Sequence, residues 1–255
     1  MTRVALALAR RALRANLRKP QFLAPLVIFP TLFLAVNVGG LTETTNLEGF
    51  PRVRGFLDFQ LAGALTQSLL LGGVSTGIAS ALEIEGGFFD RLVASPIPRF
   101  AIVLGRLLAA GLVAGVQVLF FLALGLAFGA EIVGGVPGVL VILVIGVVAG
   151  IGFGAIGQAI ALRAKNASTV QGIFPIVLVI LFVSSAFFPR DLLSAPADSI
   201  ARFNPLSYLA DGLRDPIIST ISWAPVLEGL AAAVGIAAAA MGLSVLALRG
   251  RLRDA

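Results

Sequence analysis

Few residue types in this chain of 255 could do covalent or acid–base chemistry, and the missing types exclude most of it. With no cysteine there is no disulfide, thiolate nucleophile or thiolate metal site. With no histidine, the commonest general base, metal ligand and pH switch is gone. The two lysines, Lys19 and Lys165, do not follow glycine, so the G-x-x-x-x-G-K-[ST] cradle for nucleotide phosphates is absent. A Ser–Lys dyad would have to use one of those lysines, both at the ends of apolar stretches. No aspartate pair lies inside an apolar stretch to serve an aspartyl mechanism. No catalytic, cofactor or metal site is expected. The segment that stands out is residues 83–99, EIEGGFFDRLVASPIPR, where Glu83, Glu85, Asp90, Arg91 and Arg99 interrupt two long apolar stretches.

The elements that must position this segment are membrane spans. The chain is 58% hydrophobic and 13% charged, against about 25% charged in a soluble domain. Mean hydropathy is +1.01. A spanning helix needs about 20 apolar residues, and six stretches qualify: 22–41, 59–82, 101–128, 137–161, 170–188 and 226–248. The sequence predicts an all-α, six-span membrane protein forming one domain over 1–255. The net charge is +6, but its distribution matters more. The N-terminus, 83–106, 162–169 and the C-terminus hold 14 of the 19 basic residues, leaving Arg52, Arg54, Arg190, Arg202 and Arg214 for the other side. The positive-inside rule then places both termini in the cytoplasm of a multi-pass cell-membrane protein. Residues 1–20 are basic with Leu6, Leu13 and Leu17 on one stripe, and Pro20 ends the helix. They read as an interfacial helix on the anionic inner leaflet or as a plain positive-inside anchor. The apolar stretch after them is too long for a signal peptide, and no A-x-A cleavage site follows.

Ionisable residues near mid-span mark ion and proton pathways, and none is found here. The polar residues inside the spans are Asn37, Gln67, Gln117, Gln158 and hydroxyls. A secondary transporter is therefore disfavoured, and energy for any transport must come from another polypeptide. Gln67, Gln117 and Gln158 are candidates for a substrate path, or bond between helices. Gly146, Gly150 and Gly154, with the pairs Gly73/Gly77 and Gly111/Gly115, give small-residue faces for close helix packing.

In helical register Phe88, Phe89, Leu92 and Val93 share a face of the 83–99 segment. Gly86 and Gly87 permit a bend before it, and Pro96 and Pro98 stop it. Chemistry alone leaves two readings: an interfacial loop whose phenylalanines dip into lipid, or a surface for a protein partner. Residues 83–106 resemble the cytoplasmic loop of ABC-2 type exporter permeases, particularly those of the daunorubicin-resistance kind. The matching features are Glu83 and Glu85, Gly86–Gly87, Asp90-Arg91-Leu92, Ser95-Pro96, Arg99 and Gly105-Arg106. Where many relatives carry an acidic residue after Gly-Arg, this chain has Ala109 and Ala110.

Residues 189–225 are too interrupted to span and too apolar for a free loop, which suits re-entrant or interfacial helices. Tyr208 and Trp223 would anchor at the outer interface. Asn204-Pro205-Leu206, Tyr208, Asp211 and Arg214 resemble the same family's outer segment between spans five and six. The resemblance implies a permease subunit of an ATP-driven exporter that moves an amphipathic drug, lipid or glycan outward. It implies a second permease copy or paralogue, and a cytoplasmic ATPase that holds ATP and Mg. Residues 83–99 would be the coupling helix. Glu83, Glu85, Arg91 and Arg99 would make its polar contacts, with Phe88, Phe89 and Leu92 divided between the ATPase groove and the membrane side. The alternatives are a non-transporting scaffold, an immunity or assembly subunit, and a secondary transporter. Nucleic acid is not an expected partner.

Overall fold

The computed structural model describes residues 2–18 and 20–253, and Lys19 lies outside them. All regular elements among them are helical. In order they are α1 (Thr2–Leu17), α2 (Pro20–Leu41), α3 (Phe56–Glu85), α4 (Phe88–Ala94), α5 (Arg99–Ala127), α6 (Gly135–Ala164), α7 (Ala167–Gly172), α8 (Phe174–Phe182), α9 (Ala197–Phe203), α10 (Pro205–Ile218) and α11 (Trp223–Arg253). Short 3₁₀ turns occupy Thr42–Asn46 and Arg190–Leu192. Five helices are long and apolar enough to cross a membrane: those carrying Leu23–Asn46, Phe56–Glu85, Phe100–Ala127, Gly135–Ala164 and Trp223–Arg251.

The predicted span at 170–188 is not one helix. Helix α7 ends at Gly172, α8 covers nine residues, and the chain leaves helical geometry at Val183. The apolar helical run Ala167–Phe182, interrupted at Ile173, rises about 24 Å, short of a 30 Å hydrocarbon core. Most of α10 is buried against the other helices, including Leu209, Ala210, Leu213 and Ile217.

Helices α3 and α6 form the centre. At Gly157 an added Cβ would run into the Gly73 carbonyl and lie 2.9 Å from the Gly77 nitrogen, so the two backbones touch. The Gly146, Gly150 and Gly154 face meets Val118, Ala114 and Ala110 of α5, and Gly111 and Gly115 meet Ile151 and Val147 of α6. All three glycine patterns thus pack within the chain.

Helix α2 keeps most of its surface outward and is tied in by a proline. Pro30 has no N–H, which frees the Leu26 carbonyl one turn back. Ser68 Oγ of α3 donates to that carbonyl at 2.7 Å. Gln117 of α5 donates to the Ser68 carbonyl and hydroxyl at 2.8 and 2.9 Å, completing a polar chain through three helices. Of the three predicted glutamines, Gln117 therefore bonds between helices. Gln67 and Gln158 are fully buried, and among the described residues their amides have no hydrogen-bond partner.

Helix α1 lies against α5 through small residues. Ala5 and Ala9 are buried, and at Gly105 an added Cβ would sit 2.7 Å from Leu8 Cβ. Leu6 of the predicted apolar stripe faces outward, 60% exposed, so the protein-facing side is the alanine side.

Candidate functional site

The predicted segment 83–99 is a short helix held from every neighbouring element. Gly86 closes α3, and Gly87 takes φ +67°, a left-handed conformation that turns the chain and that glycine adopts without strain. Seven residues of α4 follow. Ser95 Oγ donates to the Leu92 carbonyl at 2.6 Å, and Pro96, exposed, helps to stop the helix. Arg99 opens α5, and its side chain lies outside the described residues.

Glu83 takes two guanidiniums: Arg11 of α1 at 3.0 Å and Arg106 of α5. Arg11 also lies over the Phe88 ring, 3.5 Å from its centroid. Glu85 accepts the N–H of Ala167 at 2.9 Å, the first residue of α7, and Asn166 accepts from Thr169 at 2.8 Å. Asp90 takes Arg251, from the last turn of α11, at 2.8 Å. Helices α1, α5 and α7 therefore bond to the last turn of α3, and α11 bonds to α4.

The two phenylalanines part company. Phe89 is 1% exposed, packed with Ile84, Ile102, Val103, Leu107 and Leu248. Phe88 is half-buried. Leu92 is also half-buried, and Arg91 and Ala94 are exposed. The free face of α4 is thus Arg91, Ala94 and part of Phe88. Arg11 and Arg251 stood in the sequence only as basic residues at the chain ends; nothing there marks the carboxylates they meet.

The second predicted cluster forms around Arg214, which is buried. Its guanidinium donates to the carbonyls of Ser185 and Ala186 at 3.0 and 2.8 Å, to Phe59 O at 3.3 Å and to Asp211 at 2.6 Å. It also lies 3.9 Å from the Phe59 ring centroid. Asp211 takes Arg190 at 2.7 Å and the Ser185 hydroxyl at 3.1 Å. Arg190 covers the Tyr208 ring at 4.3 Å, and Tyr208 Oη donates to Arg202 O at 2.8 Å. Asn204, followed by Pro205 at the first position of α10, accepts from Leu206 N–H and donates to Ile180 O at 2.7 Å. Buried non-helical backbone needs such partners. The broken stretch 183–188 receives them from α10: Ser207 for the Ser185 N–H, and Arg214 for two carbonyls. The sequence offered only the polar pair Ser184–Ser185 inside an apolar run as a sign of this break.

The sequence matches the family model described as ABC-2 type transporter over residues 3–218. The chain belongs to the ABC-2 type transporter family. It is 28% identical over 232 residues to the daunorubicin resistance ABC transporter permease protein DrrB1 of Streptomyces coeruleorubidus, covering 89% of this chain and 80% of that protein. It is 26% identical over 219 residues to the transport permease ycf38 of Porphyra purpurea, covering 85% and 74%. The ycf38 permease of Pyropia yezoensis matches at 24% over 212 residues, covering 81% and 70%. This ABC-2 permease is a multi-pass membrane protein, and the family-model match ends at the last residue of α10, before α11.

Proposed function

We propose that this chain is the membrane subunit of an ATP-driven exporter, worked through α4 by a separate cytoplasmic ATPase that holds ATP and Mg. The observation that carries this reading is the convergence on 83–106: the last turn of α3 binds α1, α5 and α7 through Glu83 and Glu85, and α4, joined to it through Gly86–Gly87 and open at Arg91 and Phe88, binds α11 through Asp90. A load applied there reaches all four at once. A loop merely dipping into lipid would not need those bonds.

Six crossings suit this arrangement. Arg11 and Arg251 put both chain ends on the side of 83–99. The N–H groups of Val133 and Gly134 bond to Ile217 O and Pro216 O on the opposite side, next to the start of α11. In this reading the chain crosses once more between α7 and the start of α11, with residues 167–190 as a broken helix. By the positive-inside rule both termini are cytoplasmic, in the cell membrane. A second permease, identical or related, completes the transporter.

The cargo is an amphipath. A groove of about 320 Å³ runs between α2, α3 and the α7–α8 turn, lined by Leu26, Leu71, Val74, Ile78 and Phe174 among others. Gln67 lies on the same stripe of α3, one turn beyond Leu71, with its amide unpaired among the described residues. An apolar groove near an unpaired amide suits a drug or lipid with a polar group.

The test uses the chain with its ATPase in proteoliposomes. Phe88→Ala with Arg91→Glu should reduce ATPase capture and ATP-dependent efflux while leaving insertion unchanged and costing no more stability than the lost Arg11–Phe88 contact, about 0.5–1 kcal/mol. A well-buried interface aromatic contributes on the order of 2 kcal/mol or more. Unchanged capture and efflux would remove the proposed role. Phe89→Ala, a cavity in the protein's own core, should instead lower the melting temperature.

A further inference from the structure

A second feature at the inner end shares Glu83 and Arg106 with the coupling site but opens between other helices. A cavity of about 110 Å³ lies between α1, α3 and α5, walled by Asn16, Thr76, Ser80, Glu83, Arg106 and several alanines. Arg106 is 8% exposed, and among the described residues its guanidinium hydrogen-bonds to Glu83 alone. A guanidinium has five N–H donors, so donors remain for the cavity. Glu83 is itself divided, its other oxygen taken by Arg11 at 3.0 Å. Arg11, 44% exposed, and the buried Arg106 share one anion, which leaves a positive charge in excess beside the cavity. The Ser80 residue, 2% exposed, adds a hydroxyl to the same wall.

The space equals about four waters at about 30 Å³ each, the room of one tetrahedral oxyanion. The planar fork of arginine matches such an anion better than a point charge does. The depth is also informative. Glu83 is in the last turn of α3, and α1, with Arg10 and Arg14 exposed, runs beside the cavity.

We propose that this cavity is a phosphate site, in which Arg106 and Ser80 hold the phosphate oxyanion of an inner-leaflet phospholipid between α1, α3 and α5. It acts as a fixed head-group clasp that seats α1 against α3 and α5. The site does not depend on export, and its test reads no transport.

The full chain is reconstituted in phosphatidylglycerol or phosphatidylcholine nanodiscs, returned to detergent, and weighed by native mass spectrometry. A parallel sample, stripped of lipid, is titrated with inorganic phosphate and followed by phosphorus NMR. Ala79→Leu fills the cavity from α3 and leaves the Glu83–Arg106 pair in place. Ser80→Ala removes the hydroxyl with little change of volume and guards against misfolding of the first variant. The unmodified chain should retain one phosphatidylglycerol, in preference to phosphatidylcholine. Ala79→Leu should retain none. Ser80→Ala should bind about tenfold more weakly or worse, the effect of losing one hydrogen bond to a charged group. Phosphate binding that Ala79→Leu abolishes, without retained lipid, supports the site and assigns it to soluble phosphate. Equal retention in all three chains, or no phosphate bound in either arm, overturns the proposal.

Discussion

Replacing Arg214 with methionine keeps an unbranched apolar stem, though a shorter one, and removes the charge and every donor. The Ser185 and Ala186 carbonyls lose their guanidinium partner, at 3.0 and 2.8 Å. The Phe59 carbonyl is inside α3 and keeps its helical bond. Asp211 retains Arg190 at 2.7 Å and the Ser185 hydroxyl at 3.1 Å. Two stranded buried carbonyls cost about 1–3 kcal/mol each, so the loss should be about 2–6 kcal/mol. Breaking a buried charge pair from one side gives a similar figure, about 3–5 kcal/mol. For a chain of this size each kcal/mol moves the melting temperature by about 2–4 °C, so Arg214→Met should melt on the order of 10 °C lower. Arg214→Lys separates charge from geometry. An ammonium can meet Asp211 but cannot also fork onto two carbonyls, so it should recover about half of the loss. The assay is thermal unfolding in one mild detergent, with limited proteolysis between Val183 and Pro196 as a second readout. If Arg214→Met melts within about 2 °C of the unmodified chain, the carbonyls find donors elsewhere and the account of the broken segment is wrong.

Two smaller predictions concern the helix seams. Gly157→Leu has no space, since its first side-chain carbon would overlap the Gly73 carbonyl; it should insert yet lose the compact, protease-resistant state seen for the unmodified chain in the same digest. Gln117→Leu should cost about 1 kcal/mol, as interhelical hydrogen bonds in membranes average somewhat less than that. Ser68→Ala should cost more, because it also strands the Leu26 carbonyl that Pro30 leaves free; equal melting shifts for the two would refute the relay.

The spans could be read from sequence where they obey a one-dimensional rule. Runs of about 20 apolar residues must be helical in lipid, since only a helix pairs its own backbone there. The rule failed at 170–188, where the run is long enough but Asn204, Ser207 and Arg214 supply partners that let the backbone break. Those partners lie some 20 residues further on, and no local pattern announces them. The inner segment shows the same division. Its ends at Gly86–Gly87 and Ser95–Pro96 follow from turn chemistry. Which of Phe88 and Phe89 enters the core follows from the rotation set at Gly87 and from Ile102 and Leu248, which composition cannot place. Charge sidedness was informative twice over. Arg11, Arg106 and Arg251, assigned to one side by counting, pair with Glu83 and Asp90 of that side, while Arg54 pairs with Glu131 and Arg190 with Asp211 on the other.

The two polar clusters are joined by one rigid element, which gives the coupling reading its mechanics. Helix α3 runs unbroken from Phe56 to Glu85, about 45 Å at 1.5 Å per residue. Its inner end carries Glu83, bound by α1 and α5, and its outer end carries Phe59, whose carbonyl and ring meet Arg214. Between them, Gly73 and Gly77 hold α3 backbone-to-backbone against Gly157 of α6, so local bending there would open a dry, close-packed seam. A displacement at Glu83 therefore cannot be absorbed midway. It must emerge as a tilt of the α3–α6 pair, felt at Arg214, where the broken stretch 183–188 is held by side chains rather than by helical bonds. Helix α2, bonded to α3 at Ser68 but otherwise largely open to its surroundings, has the least to lose from that tilt. The apolar groove between α2 and α3 is where the widening would fall.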